Sequence, residues 1–301
     1  MKTSLKNTMA TQFQIWIIFT SLVSLVSCAL PEKKVCQGIT NRFNLLGSKE
    51  GHYLNMVKTY SNCTIVLENL EVTHMEDHHD LSFLRSIQEV GGYVLIALNT
   101  ANRIPLDNLR IIRGHTLYDN GFALAVLLNY NKSMGAGTTE LPLTSLTEIL
   151  KGGVKFSGNQ LCNVETIQWL DIVDSNSKPN MQLPEPSRNR LCEKCDPGCF
   201  NGSCWAPGPE HCQTLTKLNC AQQCSKRCKG PSPIDCCNEH CAAGCTGPRP
   251  TDCLVRDPNH NPNPSSHCIG PRPRPSGERQ TDRHIRHFHT LLGSGVFLHV
   301  M

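Results

Sequence analysis

Three cysteine tetrads between Cys195 and Cys253 restrict this chain more than any other feature in it. They stand at 195, 199, 204 and 212, at 220, 224, 228 and 236, and at 237, 241, 245 and 253. The spacing is C-x3-C-x4-C-x7-C once, then C-x3-C-x3-C-x7-C twice, an internal repeat. Few large apolar residues lie between the cysteines, so these modules cannot fold round a hydrophobic core. Cross-links must substitute for one, which predicts an elongated rod of small knots. In an oxidising compartment such thiols pair with one another, whereas in the cytosol the same spacing suggests zinc.

The amino terminus favours disulfides. Lys2 and Lys6 precede an uncharged, mostly apolar run from Phe13 to Val26, and Ser27-Cys28-Ala29 supplies small residues for cleavage. Residues 1–29 read as a signal peptide, so the mature chain is expected to start near Leu30. The apolar run is short for a membrane span, which needs ~20 residues. No second run of spanning length occurs, and a secreted, soluble chain is expected. An uncleaved anchor is the alternative. Of the 18 cysteines, sixteen lie between Cys36 and Cys253, an even number, and Cys268 is left over. Of the formal charge of +4, two come from Lys2 and Lys6 and three from the Arg-rich end beyond Val255, which leaves −1 over residues 30–254. That balance offers no phosphate-binding surface and no nucleic-acid partner.

Residues 36–191 obey different physics. They are cysteine-poor and rich in Leu, Ile and Val. Three β-like segments, "GYVLIALN", "FALAVLLN" and "GVKFSGN", each close on an asparagine: Asn99, Asn129 and Asn159, thirty residues apart. A fixed period of this size marks a solenoid, in which stacked turns share a core that no single turn can bury. Asparagines at the corners can bond neighbouring backbone. A short β-solenoid is expected, with an ordinary α/β domain as the alternative. Phe43 to Cys63 is amphipathic and helical in its middle, and Asn163 to Val173 has helical spacing. Each lies where it can cover an end of the solenoid, the first between Cys36 and Cys63, the second between Cys162 and Cys192. Loop closure there stabilises by ~2–4 kcal/mol.

The strings "KKVCQG", "DLSFLRSIQEVGGYVLIALNTANRIPLDNLRIIRG", "ALAVLLNYN", "LCNVETIQW", "CEKCDPGC", "NGSCW", "CAQQC" and "DCC…CAAGCTGP" carry a resemblance. From about Pro31 to Val255 the chain resembles the extracellular amino-terminal part of the epidermal growth factor receptor (ErbB) family of receptor tyrosine kinases. The resemblance implies a receptor L domain over 30–191, a right-handed β-helix, and incomplete furin-like cysteine-rich modules over 192–254. It implies the pairs Cys36–Cys63, Cys162–Cys192, Cys195–Cys204, Cys199–Cys212, Cys220–Cys228, Cys224–Cys236, Cys237–Cys245 and Cys241–Cys253. It further implies that the L domain grips one side of an epidermal growth factor-like ligand, through Phe43, Leu45, His74, Leu98, Asp119 and Leu127. Outward apolar side chains on successive turns form a stripe, and Asp119 can pair with a ligand cation. Phe43, Leu45 and His74 depart from the family's pattern, which leaves ligand preference open. On the residues alone, Leu98 and Leu127 read as core. Other ErbB receptors are a second expected partner class. Trp205 is expected to plug the open end of the solenoid.

The resemblance stops where Arg256 stands in place of the family's next cysteine. Residues 255–301, rich in Pro, Asn, Arg and His, are expected to be an unrelated, disordered tail. With the second L domain, the dimerisation arm, the span and the kinase all lost at this break, the expectation is a truncated isoform that binds weakly. Intact relatives would sit at the plasma membrane. No phosphate-cradling glycine loop with its lysine and no catalytic kinase segment is found, so neither an enzyme nor a cofactor is expected. A secreted matrix or inhibitor module with laminin-like knots is the alternative function. Sequons at Asn62, Asn131 and Asn201 are expected glycosylation sites. "EDHHD" (Glu76 to Asp80) reads as a solvated turn rather than a metal site. "HIRHFH" (His284 to His289) reads likewise as no metal site.

Overall fold

Runs of Leu, Ile, Val and Ala form the strands of this chain, and glycines or asparagines turn the corners between them. The structure is a computed structural model, and it describes residues 33–45, 47–184 and 192–256. The expected signal peptide, the tail from residue 257, Cys268 and the His284–His289 run lie outside the described residues. The described residues fall within one compact unit. Among them are two five-stranded sheets, both wholly parallel. The first holds β1 (Val35–Cys36), β2 (Ile65–Val66), β4 (Glu89–Val90), β6 (Ile111–Ile112) and β10 (Glu148–Ile149), in that spatial order. The second holds, from one edge, β3 (Leu70–Thr73), β5 (Val94–Ala97), β7 (Phe122–Leu127), β11 (Gly153–Ser157) and β12 (Met181–Gln182). A small antiparallel pair, β8 (Tyr130–Asn131) and β9 (Ala136–Gly137), stands apart.

From β2 to β7 the chain visits the two sheets alternately, so each circuit adds one strand to each. The register stacks like residues in columns. Cys36, Val66, Val90, Ile112 and Ile149 align across the first sheet. Leu70, Val94, Leu124 and Val154 align across the second, and Val72, Ile96, Val126 and Phe156 form a column beside them. All are buried in one core cluster. Each such side chain contributes ~1.5–3 kcal/mol through burial. The chain turns sharply between the sheets at Gly91-Gly92. A Cβ on Gly92 would lie 2.0 Å from Asn69 Oδ1, so only glycine fits there.

The asparagine ladder runs across the carboxyl ends of the strands of the second sheet. Asn99 Nδ2 donates to Val72 O, Asn129 Nδ2 to Ile96 O and Asn159 Nδ2 to Val126 O, at 2.9, 2.9 and 2.7 Å. Asn99 Nδ2 also donates to Asn129 Oδ1, and Asn129 Nδ2 to Asn159 Oδ1, each at 2.9 Å. The residue before each ladder asparagine is left-handed: Leu98 (φ 57°), Leu128 (φ 55°) and Gly158 (φ 67°), with His74 (φ 60°) at the matching point of the preceding turn. That conformation costs a leucine ~1–2 kcal/mol. The ladder's bonds to buried backbone hold it in place.

The helix expected within Phe43–Cys63 spans Lys49–Tyr60. Ser48 caps it by accepting from Gly51 N, and His52, Met56 and Tyr60, four residues apart, form its buried face. Asn163–Val173 does not form one helix. It breaks into a 3-10 turn, Val164–Thr166, and a single α turn, Trp169–Ile172. Gln168, between the two, exchanges bonds with Gln213 at 2.7 and 3.1 Å, and these fix the chain in a non-helical path.

Eight disulfides close the described structure: Cys36–Cys63, Cys162–Cys192, and in the rod Cys195–Cys204, Cys199–Cys212, Cys220–Cys228, Cys224–Cys236, Cys237–Cys245 and Cys241–Cys253. Within each tetrad the first cysteine pairs with the third and the second with the fourth, so the loops interleave. Val255 and Arg256 belong to the last module: Ala242 N donates to Val255 O at 2.8 Å, and Val255 is buried beside Ile111 and Ala243.

The rod docks against the end of the sheets. Trp205 joins the main core and meets Trp169 edge-on at 5.8 Å, and Trp169 in turn packs on Phe156 at 5.6 Å. Asp171, fully buried, accepts from the backbone N–H groups of Thr216, Lys217 and Leu218 at 2.8, 2.7 and 2.7 Å. Glu148 pairs with buried Arg227 and, at 3.3 Å, with Lys217. Burial pushes Arg227 down to about 9 and lowers Lys217, on which Asp171 and Asp174 act in the opposite direction. Thr147 Oγ1 donates to Ala243 O at 2.7 Å.

Candidate functional site

Strand alternation gives the second sheet a face turned away from the core. Glu71 and Thr73 of β3, Leu95 and Ala97 of β5, Ala125 and Leu127 of β7, and Lys155 and Ser157 of β11 align across it. Tyr93, Leu95, Ala97, Ala125 and Leu127 form an apolar cluster of their own, with Leu98 and Tyr118 packed against it.

The segment preceding the helix is tied to this face by Glu71. Only 2% exposed, that carboxylate accepts from the backbone N–H groups of Asn41 and Arg42 at 2.6 and 2.5 Å and from Tyr93 Oη at 2.6 Å. Burial, with Glu71 beside it, holds the Tyr93 phenol above its usual range. The tether places Phe43, 39% exposed, edge-on to Tyr118 at 6.3 Å, and Tyr118 edge-on to Tyr93 at 5.8 Å. Burial and the nearby Asp119 raise the Tyr118 phenol. His74 Nε2 lies 3.2 Å from Phe43 O. Beneath it His52, buried on the helix, is held below the usual imidazole value, chiefly by desolvation and then by His74.

The six residues expected to touch a ligand do not occupy one kind of place. Phe43 and Asp119 are exposed, while Leu45, His74 and Leu98 are half-buried. Asp119 lies 3.5 Å from Lys155 Nζ, so the acid is partly neutralised from within the chain. Leu127 is 6% exposed and sits inside the apolar cluster. Leu128 was not singled out from sequence, yet it is 54% exposed and occupies on its turn the left-handed position that Leu98 and His74 hold on theirs. Its signal was available, because it directly precedes a ladder asparagine. The sequon residues Asn62 and Asn201 are exposed, both with positive φ, and Asn131 is half-buried with its Oδ1 accepting from Ser133 Oγ at 2.6 Å.

Known proteins share much of this sequence. The receptor L domain profile matches residues 62–173, and the furin-like cysteine rich region profile matches residues 181–283. The melanoma receptor tyrosine-protein kinase of Xiphophorus maculatus is 58% identical over 214 residues, 69% of this chain and 18% of that protein. The epidermal growth factor receptor of Gallus gallus is 53% identical over 224 residues, 74% of this chain and 32% of that protein. The chain belongs to the ErbB family of receptors. Human receptor tyrosine-protein kinase erbB-4 is more distant, at 43% identity over 232 residues, 76% of this ErbB chain and 17% of that protein. The chain spans less than a third of the length of each of these relatives. Its disulfide-rich rod is the furin-like region, and the profile match continues past the last described residue, Arg256. Among the described residues of this ErbB chain, no helix is long and apolar enough to cross a membrane.

Proposed function

We propose that this chain is a secreted, growth-factor-binding extracellular part of an ErbB receptor, and that it holds an epidermal growth factor-like ligand by one side only. One observation carries the reading: the Phe43–Tyr118–Tyr93 aromatic run, Leu98 and Leu128 border one apolar face with Asp119 at its rim. Rigid aromatics and leucines beside one rim acid suit a ligand that is itself apolar with a basic residue. The L domain runs over 30–191 and the cysteine-rich modules from 192 through at least Arg256, two residues beyond the expected boundary at 254, and the alternating parallel circuits wind as a right-handed β-helix. The rod acts as a stiff spacer behind the binding face. Pairing with another ErbB receptor, and carbohydrate on Asn62, Asn131 and Asn201, belong to the same proposal. Any kinase activity belongs to the parts of the relatives that this chain does not span.

Leu128→Gly separates binding from folding. Glycine accepts the left-handed corner freely, so stability is expected to stay level or rise by up to ~1 kcal/mol. Contact with the ligand is lost at the same time. Hydrogen-exchange footprinting with an epidermal growth factor-like protein in excess should protect peptides covering 43–45, 93–98 and 118–128 in the parent, and much less in Leu128→Gly. Protection confined to the rod would overturn the reading.

A further inference from the structure

The turn Glu76–Asp80 acquires a partner in the fold that its own sequence does not reveal. The first turn of the helix Lys49–Tyr60 brings Glu50 over it. Glu50 Oε2 lies 3.4 Å from His79 Nε2 and 3.8 Å from His78 Nε2. These three ligand atoms all sit within 4.8 Å of one another. Two bonds of ~2.0–2.1 Å to a tetrahedral metal place their outer ends ~3.3–3.4 Å apart, so the Glu50–His79 spacing already fits and exposed His78 needs only a small rotation.

His79 supplies the independent observation. Its side chain is 1% exposed and stacked on Tyr53, with ring centroids 4.3 Å apart and planes 7° from parallel. Its Nε2 is buried and makes no hydrogen bond, the 3.4 Å approach of Glu50 Oε2 lacking the geometry for one. The ring's other nitrogen, Nδ1, accepts from Glu76 N–H at 3.0 Å. A metal at Nε2 therefore moves the ring proton to Nδ1 and releases Glu76 N–H to water. The cost is one neutral hydrogen bond in a surface turn, small beside three metal bonds. Lys49 holds one oxygen of the Glu76 carboxylate, and the other lies 3.7 Å from His78 Nδ1, not the nitrogen that faces Glu50, which leaves Glu50 as the anionic ligand. The open side toward solvent, where Glu50 and His78 are exposed, leaves room for water as the fourth ligand.

We propose that Glu50, His78 and His79 form a site for a borderline divalent transition ion of the Zn2+ class. Two imidazoles with one carboxylate disfavour Ca2+ and Mg2+, which take oxygen ligands. Bound metal clips the start of the helix to the turn, next to the corner that carries His74.

The test uses the full mature chain after treatment with a chelator. Zn2+ is titrated by calorimetry, and Co2+ by visible absorption as a reporter of tetrahedral geometry. One site is expected, weakened more than about tenfold by Glu50→Gln and by His78→Asn. Both are exposed, so the metal-free melting temperature should not move. His79→Phe keeps the stack on Tyr53 and should abolish the Co2+ spectrum. Replacing His284, His287 and His289 together by Asn should leave affinity unchanged. The proposal is wrong if the parent takes up no Zn2+, if Glu50→Gln and His78→Asn bind as the parent does, or if binding is lost with the tail histidines.

Discussion

Asn129→Leu is expected to cost about 4–6 kcal/mol and to leave the sheets partly unfolded at 37 °C. Asn129 is fully buried and serves both of its neighbouring turns. Its Oδ1 accepts from Asn99 N at 3.0 Å and Asn99 Nδ2 at 2.9 Å, while its Nδ2 donates to Ile96 O and Asn159 Oδ1. Leucine fills the volume but strands Asn99 N–H and Ile96 C=O, each worth ~1–3 kcal/mol when left buried and unpaired, and takes one partner each from the Asn99 and Asn159 amides, which keep Val72 O and the backbone N–H of residue 129. Leu128 also loses the bonds that hold it left-handed. Against a typical total of ~5–15 kcal/mol the loss is severe. Asn129→Asp should be no milder, since it keeps one acceptor but turns a buried carboxylate oxygen toward Ile96 O and Asn159 Oδ1, where the amide donated. Thermal unfolding followed by circular dichroism ranks the three chains. An Asn129→Leu variant melting within a few degrees of the parent would show that the ladder is ornamental.

Asp171→Ala is expected to uncouple the rod from the sheets, at ~3–5 kcal/mol, the usual effect of breaking a buried charged network from one side. The variant orphans the N–H groups of Thr216, Lys217 and Leu218 together. It also takes an acid from beside Lys217, whose ammonium burial already disfavours. The disulfides still hold each knot, so the rod keeps its modules but loses its seat. Calorimetry should show one cooperative transition in the parent and an early transition of the sheets in the variant. Limited proteolysis should then cut between Leu183 and Cys195. A single transition at the parent temperature would contradict the assigned role. Glu148→Gln leaves Arg227 buried without its anion and should act in the same direction.

The ladder was legible because its signal is local: the same residue type recurs at a fixed interval, and its chemistry serves the adjoining turns. The tetrads were legible for the same reason, although four cysteines allow three pairings and spacing does not choose among them. Leu98 and Leu127 were harder. Simple alternation fails at each corner, because a left-handed residue is inserted before the asparagine and re-aims the side chains there. Leu127 therefore sits in the apolar cluster while Leu128 projects. The segment Asn163–Val173 carries helical spacing, but its path is set by Gln213 and by the backbone at 216–218, some forty-five residues later in the chain. Glu50 and His79 lie equally far from any local pattern, and only the docking of the helix brings them together.

On the proposed one-sided grip, the L domain gives an epidermal growth factor-like ligand one contact face, yet association still costs nearly the full loss of translational and rotational freedom. Calorimetric titration of the mature chain with such a growth factor tests the account most directly. The expected result is a dissociation constant weaker than about 1 µM, raised further by Leu98→Glu. Nanomolar binding, or heats that Leu98→Glu leaves unchanged, would contradict it.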